Sequence, residues 1–304
     1  MTADGGRPRR SAGAVGGWVR AGPAVAVTGL LMLAGLGYTM AQSVGRLAVV
    51  EDDRGAFDAY ATVLGGDPAT TTGREFWVSL GWSLGVAGTA TAVSAALALA
   101  VGVGLAGLPR RAADAGLGGL ALTLVLPHLV WATALLVLLA PSGVLSRVAA
   151  AAGLVAAPAE FPVLVGDPHG IGVVLHYVTK ETPFLVLATW PTLRLAAQRY
   201  ATVAASLGAG PWHRLRHVLL PLVAPPLAAA SLLVFAAVFG VFEVPALLGV
   251  SYPRALSVLV VDLFLDPDLR RRPEAAAVSV VMTVAVAGAA ALAVVAGRTL
   301  RGPR

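Results

Sequence analysis

The chain has 304 residues, of which 57% are hydrophobic and 12% are charged, with a mean hydropathy of +0.80 and a formal net charge of +6. Soluble domains have about 25% charged residues, so this composition excludes a soluble globular protein and predicts a membrane protein. The absence of cysteine excludes disulfide bonds, a thiol nucleophile and a thiolate metal site.

Six long apolar runs predict six transmembrane helices. A hydrocarbon core about 30 Å thick needs about 20 apolar residues for each helical span. A transmembrane β-barrel would instead show alternating segments of about ten residues, whereas these runs are continuous and rich in Ala, Leu, Val and Gly. The predicted fold is an all-α polytopic membrane protein with spans at residues 23–42, 76–105, 116–140, 170–193, 218–242 and 275–297.

The basic residues favour an orientation with both termini in the cytoplasm. In that orientation the inner segments hold thirteen arginines and the outer segments eight, while thirteen acidic residues lie outside. Lysine and arginine concentrate in the cytoplasmic segments of membrane proteins. The run Arg270 to Arg272 falls on the outer side and is a local exception.

Residues 1–20 are rich in Gly, Arg and Ala and have no apolar periodicity. They predict an irregular cytoplasmic basic tail close to anionic lipid headgroups. The first span is about twenty residues long and lacks a convincing small-residue cleavage site, which favours an uncleaved signal-anchor over a signal peptide. Residues 21–304 are predicted to form a single transmembrane domain.

The sequence gives no support for a nucleotide-binding site in this chain. Gly102, Gly104 and Gly107 satisfy G-x-G-x-x-G, but no strand precedes them and the span ends at once, so they predict close helix packing. The single lysine, Lys180, follows Thr179, whereas a Walker A motif requires glycine directly before its lysine. The chain is therefore predicted to be no ATPase and no enzyme.

The third and fourth predicted spans contain residues that are unusual in a membrane helix. Pro127 bends the third span, and the adjacent His128 either lines a pathway or, more commonly, packs with a hydrogen-bond partner. In the fourth span Lys180, Glu181 and Pro183 lie close to the middle of the bilayer. Neighbouring helical residues point about 100° apart, so each charge needs a partner on another helix or a water-filled path. A structural ion pair and a pathway lining are equal alternatives.

A polar, basic segment at residues 194–221 separates the fourth and fifth spans. Residues 195–207 are good helix formers, and Gly208 and Gly210 interrupt the helix. Pro211 suits the first position of the next helix, where its missing N–H has no cost. We expect a short helix, a glycine hinge and a second helix that re-enters the membrane, an arrangement that suits recognition by a soluble partner.

The spacing in this segment, which ends with SLGAGPWHRLRHVLLP at residues 206–221, resembles the signature of the permease subunits of binding-protein-dependent ABC importers. That signature is Glu-Ala-Ala, three residues, Gly, nine residues, Ile, one residue and Leu-Pro. Aligned on Gly208, the chain meets the spacing throughout, with Thr202-Val203-Ala204 at the first step, Val218 at Ile and Leu220-Pro221 at the end.

The resemblance implies that this segment couples the chain to an ATPase. In the family the short helix docks in a cleft of the ATPase subunit, and its glutamate supports the contact. Thr202 replaces that glutamate and Val203 the first alanine, so the resemblance does not extend to the polar part of the contact. A basic loop that obeys the positive-inside rule explains the arginines but not the Gly-to-Pro spacing. The implied coupling residues are Tyr200, Thr202, Val203, Ala204, Ser206, Leu207, Gly208, Gly210, Pro211, Val218, Leu220 and Pro221.

Other segments resemble the subgroup that serves polyamine, ferric-iron or thiamine importers, so that the resemblance covers spans two to six. These segments are KETPF, FEVPALLG, YPRALSVLV and DPDLRRRPEAA, which begin at residues 180, 242, 252 and 266. Glu243 is either a carboxylate at the outer interface or a residue that faces a cation near the pathway. Arg270 to Arg272 either contact an acidic face of a binding protein or snorkel at the membrane interface. The candidate pathway residues are Lys180, Glu181, Pro183, Glu243 and Pro245.

The resemblance implies the type I ABC importer permease fold, in the bacterial cytoplasmic membrane. The implied partners are two ATPase subunits, a second identical or homologous permease, an extracytoplasmic substrate-binding protein and membrane lipid, without nucleic acid. ATP and Mg would bind the ATPase, so no cofactor or metal is expected in this chain. Closure of the ATPase would push on residues 200–208 and be relayed through residues 211–221 to spans four and five.

The main alternative is a secondary transporter driven by an ion gradient. Such proteins use intramembrane carboxylates and often contain repeated spans, whereas Glu181 is the only acidic residue well inside a predicted span and the two halves show no repeat. A membrane scaffold protein would need no coupling segment. Glu181 and Glu243 would complement a cationic solute, but the selectivity of such importers lies largely with the binding protein.

Overall fold

The structure is a computed structural model that describes residues 12–47, 55–65, 71–157 and 160–299. Within these ranges every regular element is a helix, which confirms the predicted all-α fold. The helices are α1 (Ala12–Ser43), α2 (Asp58–Leu64), α3 (Thr71–Ala106), α4 (Arg110–Val125), α5 (His128–Leu139), α6 (Val144–Ala151), α7 (Ile171–Leu195), α8 (Thr202–Ser206), α9 (Pro211–Arg214), α10 (Leu220–Gly240), α11 (Glu243–Leu248), α12 (Leu256–Leu265) and α13 (Arg272–Thr299).

Six helical stretches in the described part of the chain are long and apolar enough to cross a membrane, as predicted. Such a stretch satisfies its backbone hydrogen bonds internally, which a bilayer requires. The stretches are Gly22–Ser43, Thr72–Ala106, His128–Ala151, Ile171–Ser206, Pro211–Gly240 and Leu269–Ala291.

The helices differ from the predicted spans and tail in several places. The third and fifth candidate stretches are His128–Ala151 and Pro211–Gly240, whereas residues 116–140 and 218–242 were predicted. The third predicted span is not one bent helix, because the backbone is extended at Leu126 and Pro127 and separates α4 from α5. Proline disfavours a helical conformation in the residue before it, so the helix ends there. The fourth stretch continues to Ser206. Helix α1 begins at Ala12, so an irregular tail is wrong for residues 12–20, and the rest of that tail lies outside the described residues.

Helices α3 and α7 pack along each other at the centre of the bundle, and α10 packs against both. Helix α3 carries small buried residues such as Ala90 and Ala98, and small residues let membrane helices approach closely. On α7 the large side chains of Tyr177 and Leu185 are fully buried. Gly102 lies against Leu193 of α7, as expected for a glycine that serves packing.

Helix α1 lies at the edge of the bundle, where it packs against α13. Its side chains Leu30 and Leu33 are each 70% exposed, as suits a surface that faces lipid. At the end of α1 the hydroxyl of Ser43 is hydrogen-bonded to that of Tyr60 in α2 at 2.8 Å.

The start of α7 is fixed by the buried carboxylate of Asp167. It accepts hydrogen bonds from the backbone N–H groups of Ile171 at 2.8 Å and His169 at 3.0 Å, which satisfies donors at the helix N-terminus. The preceding Gly166 donates its N–H to the carbonyl oxygen of Leu248 at 2.9 Å. The loop therefore ties the first turn of α7 to α11.

Candidate functional site

A helical hairpin joins α7 to α10. Helix α7 continues through a π-helical turn, Ala196–Ala201, into α8, which ends where Gly208 adopts a φ of +84°. Gly210 precedes α9, and a second π-helical turn, Leu215–Leu219, leads into α10. Pro211 occupies the first turn of α9, where no partner is needed for its nitrogen. Glycine is the residue that adopts a positive φ at low cost, so Gly208 sets the reversal of the chain.

The two arms of the hairpin enclose an apolar groove of about 480 Å³. Leu207, which lines the groove, is 82% exposed, and Trp212, at the tip of the hairpin, is 70% exposed. Exposed apolar side chains grouped in this way suit contact with a protein partner. The groove is lined by Tyr200, Val203, Ala204, Leu207, His217, Val218, Pro221 and Leu222.

The base of the hairpin is packed and tied to α4. The buried residues Ala196, Ala201 and Leu219 form a small apolar cluster between the two arms. Just before the hairpin, the guanidinium of Arg194 lies 3.4 Å from the carboxylate of Asp114 in α4 and stacks over Trp190, 5.6 Å from the ring centroid. The arms are thus held together at the base by apolar packing, and Arg194 connects that base to α4.

A second polar site lies at the break between α4 and α5. Lys180 of α7 is only 3% exposed, and its ammonium group donates hydrogen bonds to the carbonyl oxygens of Thr123, at 2.6 Å, and Leu126. An unsatisfied backbone group in a bilayer costs several kcal/mol, and a cation is favoured at a helix C-terminus. Lys180 therefore caps the broken end of α4, which gives this charge the partner that the sequence requires.

The same face of α7 also holds the first turn of α5. Thr179 accepts a hydrogen bond from the indole N–H of Trp131 at 2.9 Å, and the ring nitrogens of His176 and His128 lie 3.3 Å apart. Glu181 lies near His128 as well, with 4.0 Å between the carboxylate and the imidazole Nε2. His128 is thus packed beside polar partners, and it and Glu181 keep part of their surface exposed.

The other candidate pathway residues are placed differently. Pro183 lies one turn beyond Lys180 and is buried within α7. Glu243 begins α11 and is exposed, whereas Pro245 is buried in the same short helix. Helix α11 packs against α5 and α7, so Glu243 begins the element that covers the α5–α7 contact.

A sequence model of the binding-protein-dependent transport system inner membrane component matches residues 96–300. This match includes both the hairpin and the α4–α5 break, and it covers more than half of the chain. The chain belongs to this family. Membership and the six candidate membrane helices make it a multi-pass protein of the bacterial plasma membrane.

Individual members of the inner membrane component family match parts of the chain. It is 29% identical over 184 residues to the inner membrane ABC transporter permease protein YnjC of Escherichia coli K12, a match that covers 59% of this chain and 33% of the relative. It is 31% identical over 144 residues to the molybdenum transport system permease protein ModB of Azotobacter vinelandii, a match that covers 47% of this chain and 60% of the relative. The matched segments thus span less than two thirds of each of these relatives.

The chain shares its fold with a chain of a solved bacterial transporter. A bacterial ABC transporter involved in the import of the acidic polysaccharide alginate superimposes with a TM-score of 0.71 at 16% identity, over 94% of this chain and 98% of that one. At this identity the likeness shows the fold, and it confirms the permease type of architecture.

Several predicted coupling residues of this inner membrane component meet at the groove, and two residues that line it were missed. Of the twelve, Tyr200, Val203, Ala204, Leu207, Val218 and Pro221 line it, and Gly208, Gly210 and Pro211 form the turn. Thr202 and Ser206 are exposed and bond to carbonyls of their own helix, and Leu220 lies outside the lining. His217 and Leu222 line the groove too, and their spacing from Val218 and Pro221 on one helix is the pattern that would have indicated them.

At the break, sequence reasoning missed His176, Thr179 and Trp131. His176, Thr179 and Lys180 are spaced i, i+3 and i+4, so they share one face of α7, and this polar pattern inside an apolar span was the available indication. Of the partners of that face, His128 was singled out by the sequence, whereas Thr123 and Leu126 of α4 and Trp131 of α5 had no pattern that indicated them.

The run Arg270 to Arg272 spans the start of α13, and the side chains of Arg271 and Arg272 contact other residues of the chain. Arg271 lies 2.6 Å from Asp266 and 3.8 Å from the buried Glu274, and it donates to the hydroxyl of Thr72 at 3.1 Å. The backbone N–H of Asp268, followed by the guanidinium of Arg271, lowers the pKa of Asp266 below its ordinary range. Arg271 thus joins the start of α13 to α3, and the two predicted alternatives for the run Arg270 to Arg272 stay predictions.

A similar role belongs to Arg272, whose guanidinium stacks over the ring of Phe264, 4.9 Å from its centroid. Arg270 is exposed.

Proposed function

We propose that this chain is the transmembrane permease subunit of an ATP-driven ABC importer. The observation that carries the proposal is the apolar groove at the glycine-hinged hairpin, which lies within the segment that matches the family and is continuous with α7 and α10. The names of YnjC and ModB, as ABC and molybdenum transport permeases, support this class of function. ATP hydrolysis would take place on a separate subunit, with ATP and Mg bound there.

The partners in this proposal follow from the surfaces that the chain presents. An ATPase subunit would receive the hairpin tip, where Leu207 and Trp212 extend from the groove. The family description supports a substrate-binding protein as a further partner. A second permease, identical or homologous, would complete the solute pathway, and both termini and the hairpin would lie in the cytoplasm.

The proposed mechanism is mechanical. When the ATPase subunits close, the hairpin tip is displaced, and the two helices continuous with it, α7 and α10, carry the movement into the membrane. Such rigid-body movement of packed helices switches access to the pathway between the two sides. The small apolar cluster of Ala196, Ala201 and Leu219 supports this mechanism, because it packs the two arms of the hairpin together so that they would move as one unit.

The residues proposed to form or shape the pathway are Lys180, Glu181, Pro183, Glu243 and Pro245. Glu181 and Glu243 have the exposure that a lining residue needs, whereas Lys180, Pro183 and Pro245 would act by shaping the helices that carry them.

The proposal is tested by affinity purification of the tagged chain, expressed together with its genomic neighbours, from membranes in mild detergent. We expect an ATPase subunit to co-purify in a near-stoichiometric ratio and to hydrolyse ATP. A chain that is recovered folded and without any ATPase would contradict the proposal and favour a transporter driven by an ion gradient.

A further inference from the structure

The break between α4 and α5 is bridged by side chains from one face of α7. Leu126 and Pro127 are extended, so no helical hydrogen bond crosses between the two helices at this point. Lys180 donates to two carbonyl oxygens at the end of α4, while Thr179 and His176 reach Trp131 and His128 in the first turn of α5. Helix α7 therefore contacts both sides of the break.

Of these contacts, the two made by Lys180 carry the greatest consequence. Its side chain is buried at the level where α4 ends, and a lysine there is costly unless it is paired. The carbonyl oxygens of Thr123 and Leu126, in turn, lose their partners if the ammonium group leaves. Separation would leave both the ammonium group of Lys180 and the carbonyl oxygens at the end of α4 without these hydrogen bonds, so the break and α7 stay together.

We propose that Lys180 is a positioning residue that fastens the α4–α5 break to α7, so that the break and α7 move as one rigid body. The consequence for transport rests on the proposed function. Helix α7 is continuous with the hairpin arm as far as Ser206. A displacement of the hairpin would therefore be transmitted along α7 to the α4–α5 break, and His128 and Glu181 would move together with the break.

The experiment measures the distance between spin labels on α7 and α5. The chain has no cysteine, so the exposed residues Leu195, at the end of α7, and Val130, in α5, can be changed to cysteine and labelled in the purified complex. A second pair, Leu195 with the exposed Val284 of α13, reports movement of α7 relative to α13. Each pair is measured without nucleotide, with ADP and with ATP and vanadate.

With Lys180 present, the Leu195–Val130 distance is expected to be narrowly distributed and equal in all three states. Lys180→Met keeps roughly the length and the apolar stem of the side chain but removes its charge and donors. It is expected to broaden the distribution about twofold or to split it, as the packed contact gains a second arrangement. Lys180→Arg retains charge and donors, and it is expected to restore a narrow distribution. A Lys180→Met distribution as narrow as that of the unaltered chain would overturn the proposal.

A shift of the Leu195–Val130 distance between nucleotide states in the unaltered chain would also overturn the proposal, and this measurement does not depend on the folding of any Lys180 variant. If Lys180→Met is not recovered from membranes, Lys180→Leu replaces it with the same expected direction, because leucine also has no donor for the carbonyl oxygens of Thr123 and Leu126. Failure of the proposed function is seen separately, as the absence of a co-purifying ATPase and of any nucleotide effect on the Leu195–Val284 pair. The nucleotide-free comparison of Lys180 variants still decides the inference in that case.

Discussion

The indole ring of Trp82 lies against Gly170 and leaves no space there for a side chain. A Cβ placed on Gly170 would meet the Cζ2 atom of Trp82 at 2.8 Å and a methyl group of Val86 at 2.9 Å. The ring cannot withdraw freely, because its N–H donates to the carbonyl oxygen of Pro168 at 2.9 Å. Since Gly170 also has a φ of +72°, both space and backbone conformation require glycine where α7 begins.

Gly170→Ala is therefore expected to destabilise the chain by about 3 kcal/mol, the sum of left-handed strain and a steric overlap. Gly166→Ala is the matched control: its φ is +70°, but its Cβ would meet nothing closer than 4.0 Å, so only the strain of about 1–2 kcal/mol applies. Thermal melting of the purified variants in detergent measures the difference. Equal losses for the two variants would show that Trp82 moves aside.

Gly208→Val is expected to reduce the ATPase retained on the purified chain by about tenfold, because a β-branched residue at a φ of +84° is strained by about 1–2 kcal/mol or more and displaces the hairpin tip. A Cβ on Gly208 meets no other atom within 4 Å, so the effect comes from the backbone alone. Gly210→Ala, at a φ of −66° and with equally open surroundings, is expected to retain the ATPase. Full retention by Gly208→Val would argue against a role for this turn.

Leu207→Ser removes the most exposed apolar side chain of the groove and is expected to weaken ATPase binding by about tenfold, the usual scale for a buried interface contact. Leu154→Ser provides a control of matched exposure, because Leu154 is 78% exposed and lies outside the hairpin. Quantitative pull-down from detergent measures both variants. Similar losses at the two positions would indicate a general effect on the chain and not docking.

Thr202→Glu restores the carboxylate that the family signature has at this position, and it is expected to preserve or strengthen association with the ATPase. Thr202 is exposed and only bonds to the carbonyl oxygen of Ala197 at 3.3 Å, so the longer side chain has space. Co-purification at increasing salt measures the effect, because a charged contact weakens as salt rises. Weaker association at low salt would mean that this chain docks through a different contact.

The lowered pKa of Asp266 predicts a loss of stability in acid. The backbone N–H of Asp268 and the guanidinium of Arg271 favour the ionised carboxylate in the folded chain, so the unfolded chain binds its proton first as the pH falls. This contribution is complete above the ordinary pKa of about 3.9 and is lost as the pH falls through the lower folded value.

Asp266→Asn should therefore melt below the unaltered chain at neutral pH, and the difference should shrink on acidification below about pH 4. Melting temperatures measured from pH 7 to pH 3 give the comparison. A difference that is constant over this range would assign the effect to packing and not to ionisation.

Part of this protein follows from local sequence properties. The six candidate membrane helices can be predicted from the sequence because the length and polarity of each apolar run are properties of the segment itself. The hinge is readable for the same reason: Gly208 permits a positive φ and Pro211 suits a helix start, whatever else surrounds them.

Other features depend on contacts between residues distant in sequence, and only the tertiary structure decided them. Lys180 caps a helix end 57 residues before it, at Thr123, and Arg271 reaches Thr72 across 199 positions. A charge inside a membrane span predicts that some partner exists, but its identity depends on how α4, α5 and α7 pack. The sequence by itself thus determined the number of candidate membrane spans, the hinge and the need for a partner at Lys180, while packing decided that this partner is the broken end of α4.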